Sequence, residues 1–117
     1  MTPKTVAICA ALALVLVSAS VRAQAAASWV GGITLKEECN SESMYKRGRC
    51  SGFIAAIAGI VANEPIYGWR ACVPDGVTVG QLTAIVTKYL NDRPEYLHLT
   101  ATSHAAKAIA IAFPCPK

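Results

Sequence analysis

Apolar positions are arranged along this chain in three different ways. From Val6 to Val17 (VAICAALALVLV) they run without interruption behind a single positive charge, Lys4. That is the pattern of an export leader, too short to span a hydrocarbon core comfortably. The small residues of the segment VSASVRAQAAAS then allow cleavage after Ala23 or Ala25. The reading is a signal peptide over residues 1–23 and one domain over 24–117, with no membrane attachment after cleavage. A second apolar run, Cys50 to Ala62 (CSGFIAAIAGIVA), is rich in alanine and too long for a strand in so small a domain. It predicts a central helix buried on most of its circumference, with Gly52 and Gly59 as points where neighbouring helices come close. The third pattern is periodic. Leu82, Ile85, Val86, Tyr89 and Leu90 repeat at the three-and-four spacing of one helical face, behind Thr78 and Gln81 in capping-box register.

The intervening segments supply the ends and turns. Thr34 with Glu37 reads as another capping box, opening a short helix over about residues 35–40 that stacks Leu35 on Cys39. The polar stretch Asn40 to Arg49 (NSESMYKRGR) reads as a mostly solvated turn, with Ser43 capping a short turn toward Cys50. Pro65 stops the central helix, and Pro65 to Asp75 form a loop. Asn91-Asp92-Arg93-Pro94 breaks the amphipathic helix, and Pro94 opens a new turn. A last helix, about Thr102 to Phe113, turns Ala106, Ile109, Ala110 and Phe113 inward and Lys107 toward solvent, before Pro114 ends it and Cys115 pins the tail. No strand pattern rivals these, so the predicted fold is all-α: a compact bundle of four to five short helices.

Cysteine usage places this bundle. Cys9 leaves with the leader, and Cys39, Cys50, Cys72 and Cys115 remain, an even number that reads as two disulfides formed in an oxidising compartment, the periplasm. Four cysteines allow three connectivities, and spacing does not choose among them. A Cys50 to Cys72 bridge, for instance, would be worth about 3 kcal/mol in the chain-entropy model. Lys4 and Arg22 also leave with the leader, so nine basic residues face seven acidic ones. A charge this near neutral argues against a nucleic-acid binder.

Candidate chemistry is sparse. His98 and His104, six residues apart, would face opposite sides of one continuous helix and read as core or surface histidines, not a metal pair. The cysteine spacings match no zinc motif, and there is no Cys-x-x-Cys pair and no nucleophile elbow. The carboxylates read as caps and turns. No catalytic, metal or cofactor site is predicted, and the protein is read as a non-enzyme that works by contact with another protein. Tyr45, Lys46 and Arg47 in the polar stretch, and Tyr67, Trp69 and Arg70 in the loop, are the candidate contacts, because Trp, Tyr and Arg dominate binding hot spots. Tyr67 and Trp69 read either as lids over the end of the core or as exposed anchors.

Several blocks carry a resemblance. Cys50-Ser51-Gly52-Phe53-Ile54, Cys72-Val73-Pro74-Asp75-Gly76-Val77-Thr78, Lys88-Tyr89-Leu90, Arg93-Pro94-Glu95-Tyr96-Leu97-His98 and Ala112-Phe113-Pro114-Cys115 resemble the Rap/Tai immunity-protein family, from about Trp29 to Cys115. The resemblance implies a periplasmic, helical, disulfide-bonded protein that binds and inhibits a peptidoglycan amidase effector of type VI secretion. Members of that family are often dimeric, and helical domains of this size often bury an apolar face in a two-fold pair, with Ile60, Ile66 and Ile111 as the candidates. The sequence leaves the choice between monomer and homodimer open. The alternatives are an envelope stress or holdase chaperone, which would open a surface as carboxylates protonate, and the same family scaffold without a toxin partner.

Overall fold

Residues 30–117 are described by the computed structural model, so the leader, its cleavage point, Cys9 and Trp29 lie outside the described residues. The described chain runs through α1 (Gly32–Cys39), α2 (Met44–Asn63), α3 (Val79–Asp92), a 3₁₀ turn (Pro94–Tyr96) and α4 (Ala101–Ala112). The fold is all-α, as the patterning implies. None of these helices is long and apolar enough to cross a membrane.

Side-chain caps start three of the helices. Ser43 accepts from the Lys46 N–H at 3.5 Å, and Thr100 accepts from Ser103 N–H at 3.1 Å. At Thr78 the box is reciprocal: the Gln81 N–H donates to Thr78 Oγ1 at 3.2 Å, and the Thr78 N–H donates to Gln81 Oε1 at 2.8 Å. Helix α1 departs from the sequence reading. It begins at Gly32, with no side-chain cap, and Thr34 lies inside it. Its first amides need no side-chain cap because the backbone of 97–99 satisfies them: Gly32 N–H donates to Leu99 O at 2.8 Å and Ile33 N–H to Leu97 O at 3.1 Å.

Helix α2 is longer than its apolar run. It starts at Met44, so residues 40–43 of the stretch read as a turn stay outside the helix, whereas residues 44–49 are solvated but helical. Residues 44–49 are all exposed and carry no apolar stripe for periodicity to detect. The expected burial on most of α2 is also corrected. Cys50, Ile54, Ile57, Ala58 and Val61 face inward, whereas Gly52, Ala56, Gly59 and Ile60 are exposed. Alanine and glycine expose little apolar area, so a one-sided contact suffices. A methyl group built on Gly52 or Gly59 would meet nothing within 4 Å, so neither is a point of close approach. That point is Gly32.

The core gathers Leu35 of α1, Ile54 and Val61 of α2, Val86 and Leu90 of α3, and Ile109 of α4, all with no accessible surface. Helix α4 is the most deeply set, and its alanines 101, 105, 106 and 108 let the other helices crowd it. The disulfides join Cys39 to Cys50 and Cys72 to Cys115. The first ties the end of α1 to α2. The second ties the loop after α2 to the C-terminal tail, where Cys72 N–H already donates to Phe113 O at 2.9 Å. A Cys50 to Cys72 bridge therefore does not occur.

Candidate interaction surface

Beyond α2 the chain reverses in two residues. Ile66 and Trp69 exchange both backbone hydrogen bonds at 2.9 Å, and the residues between them, Tyr67 (φ 50°) and Gly68 (φ 81°), have the paired positive φ of a type I′ turn. Glycine suits such a position. A bulky aromatic is a rare occupant, and Tyr67 is the one described non-glycine residue with positive φ. Its side chain gains little packing in return, being 70% exposed. Trp69 lies half-buried against the core. The two readings of this pair thus divide: Trp69 is the lid, and Tyr67 projects.

Lys107 of α4 completes this face. Its ammonium lies 5.3 Å from the centroid of the Trp69 ring and 5.8 Å from that of Tyr96. The residue is half-buried, so the expectation that it simply points to solvent is corrected. Its stem follows the surface, and two aromatic faces hold the charge. Tyr67 borders a shallow depression with Leu99, Thr100 and Ser103, one turn of α4 before Lys107. Tyr96 and Leu99 are each 42% exposed. Arg70, next to Trp69, is exposed.

The other three sequence candidates lie elsewhere. Tyr45, Lys46 and Arg47 occupy the first turn of α2, and Tyr45 is exposed. From Tyr45 to the end of α2 the rise is about 27 Å, so the six residues form two clusters, not one. At the Tyr45 end, the Arg49 guanidinium lies 6.0 Å from the Tyr45 ring centroid, and Arg49 Nη2 pairs with Glu38 Oε1 at 3.2 Å. Glu38 is buried, unlike the caps and turns to which the carboxylates were assigned. Only the disulfide-linked approach of α1 and α2 brings its partner near.

The histidines are separated by structure as well as sequence. His98 is exposed in the turn before α4, so no continuous helix carries both. His104 is buried on α4, with Nε2 2.8 Å from Tyr96 O and its ring tilted against Tyr89. Burial lowers its pKa, outweighing the Tyr96 carbonyl, which raises it; the nearby charges of His98 and Lys107 lower it further. Gly32 abuts this ring. A β-carbon there would lie 2.6 Å from His104 Cδ2, 2.7 Å from Nε2 and 2.8 Å from Leu97 O.

Among the described residues no three His, Cys, Asp or Glu side chains converge as a metal site, and no buried side-chain polar atom lacks a partner. What the arrangement offers is an exposed face on which aromatic and basic side chains lie together. Its contributors Lys107, Tyr96 and Leu99 were not singled out as site residues in the sequence, because they join Tyr67 and Trp69 only through the packing of α4.

No curated protein matches the chain. A family model described as Rap1a immunity proteins matches residues 31–115, nearly all of the helical domain. The chain therefore belongs to the Rap1a immunity protein family.

Proposed function

We propose that this protein is a periplasmic immunity protein that binds a peptidoglycan amidase effector of type VI secretion and blocks it by surface contact. The observation that carries this reading is the family match across residues 31–115. An immunity protein acts on a protein effector, and the exposed aromatic and basic side chains are of the kind that anchor such complexes. The two disulfides and the leader-like N-terminal sequence favour an exported site of action. Pairing of two copies belongs to the same reading. Ile60 and Ile111 are 50% and 56% exposed, and Ile66 is half-buried, so apolar area is available for it.

The purified mature chain, used as bait in a crosslinked envelope extract, is expected to retain an amidase. Release of soluble peptide from peptidoglycan by that amidase should fall in proportion to added protein until it is abolished at stoichiometric amounts. Amidase activity unchanged at saturating protein would overturn the reading. Sedimentation equilibrium of the mature chain tests the dimer.

A further inference from the structure

We infer that a partner protein docks on the hairpin end of the molecule, not on the first turn of α2. The occupant is an extended acidic segment whose carboxylate meets Lys107 between Trp69 and Tyr96, while a neighbouring apolar side chain lies against Tyr67 and Leu99. The inference rests on the immunity reading only for the partner's identity as an effector.

Two independent observations carry it. The first is charge. The ion pairs among the described residues join Arg49 to Glu38, Lys88 to Asp92, and Arg93 to Glu95. Lys107 has no carboxylate partner among them, and neither does Arg70. Glu95, adjacent to Tyr96 in sequence, is taken up by Arg93 at 3.9 Å. The Lys107 ammonium is already positioned by two rings, 5.3 and 5.8 Å away, so receiving a carboxylate sacrifices little rotamer freedom. At the opposite end Lys46 and Arg47 also lack a carboxylate partner among the described residues, but both are exposed and neither stands over an aromatic ring there; the cation over Tyr45 is Arg49, which Glu38 already neutralises.

The second is backbone conformation. Tyr67 holds a φ of 50°, which asparagine or glycine would hold more readily, and its side chain is 70% exposed. Folding gains nothing evident from tyrosine there. A strained residue that displays an aromatic ring beside an apolar depression is suited to binding, where a tyrosine anchor recovers the cost.

A random-peptide display library panned on the full mature protein tests this. Enriched peptides should carry Asp or Glu beside Leu, Phe or Trp. Their affinity should fall at least ~10-fold on Tyr67→Asn and on Lys107→Met, with no change on Tyr45→Ala. Asparagine tolerates the left-handed turn and methionine retains an unbranched stem, so thermal melting should show both variants folded. Added salt should weaken peptide binding to the wild type more than to Lys107→Met. Absence of enrichment, enrichment of peptides lacking acidic residues, or equal binding to Tyr67→Asn would overturn the inference. An amidase blocked equally by wild type and both variants would remove this face and leave the immunity reading standing. Acidic peptides selecting this face while no amidase is blocked would do the reverse.

Discussion

Gly32→Ala is expected to destabilise the domain by about 2–3 kcal/mol, through a collision with a buried, hydrogen-bonded ring and a backbone carbonyl. The new methyl would lie 2.6–2.8 Å from two ring atoms of buried His104 and from the Leu97 carbonyl oxygen. Relief requires α1 to move off α4 or the imidazole to leave Tyr96 O. Overpacking of this kind costs about 1–3 kcal/mol. Weakening the His104 to Tyr96 contact adds about 1 kcal/mol. Alanine returns at most about 1 kcal/mol of helix propensity, and less at a first helical residue. The assay is urea unfolding followed by far-ultraviolet circular dichroism. Gly52→Ala and Gly59→Ala serve as comparators, because a β-carbon at either position meets nothing within 4 Å. Each should gain about 0.5–1 kcal/mol. In a His104→Ala background two of the three obstructing atoms are gone, so Gly32→Ala should cost about 1 kcal/mol less than in the wild type. A Gly32→Ala midpoint equal to or above that of the wild type would refute the close approach of α1 and α4.

Acid should weaken the fold through His104. Its folded pKa lies below the ordinary 6.5, so the unfolded chain takes up the proton first. Its contribution is complete above about pH 6.5 and declines as pH falls toward the folded pKa, by up to ~1.4 kcal/mol per pH unit. Urea midpoints at pH 7.5 and 5.5 should therefore differ less in His104→Leu than in the wild type. Replacing Cys72 and Cys115 by serine should cost about 4 kcal/mol and replacing Cys39 and Cys50 about 3 kcal/mol, since the bridged separations are 43 and 11 residues; denaturation of the two double variants checks the order. Arg49→Met should cost about 1–2 kcal/mol, because it strands the Glu38 carboxylate, 9% exposed, while the half-exposed guanidinium limits the loss. Adding Glu38→Gln should restore part of that stability in the same urea assay.

Local chemistry was the most legible part of the fold. The Thr78 and Gln81 box and the stripe through Leu82, Val86 and Leu90 are complete within α3, and the structure reproduces both. Pro65 likewise ends α2 close to where the sequence places the stop. Features that depend on distant residues were not legible. Thr34 resembles a cap, but α1 opens two residues earlier, because residues 97–99 supply its acceptors. Gly32 carries the close contact expected of Gly52 and Gly59, and its neighbour is His104, far along the chain. The candidate site followed the same rule. Composition identified Tyr67, Trp69 and Arg70 as contact types, but not that α2 would hold Tyr45, Lys46 and Arg47 at its other end, nor that α4 would bring Lys107 against Trp69. Disulfide pairing also awaited the fold, since the tail reaches Cys72 only after α4 is packed.

The Tyr67 hairpin is held at its stem and free at its tip. Ala71 N–H donates to Val61 O at 3.1 Å, Cys72 N–H donates to Phe113 O at 2.9 Å, and the Cys72 to Cys115 bridge closes the same edge. The disorder such a loop would otherwise surrender on contact has already been removed during folding and oxidation. The effect should appear in the lifetime of a complex, because a loop that cannot relax away from its partner slows dissociation more than it changes encounter. Reduction of that one disulfide should shorten the residence time while leaving the association rate nearly unchanged.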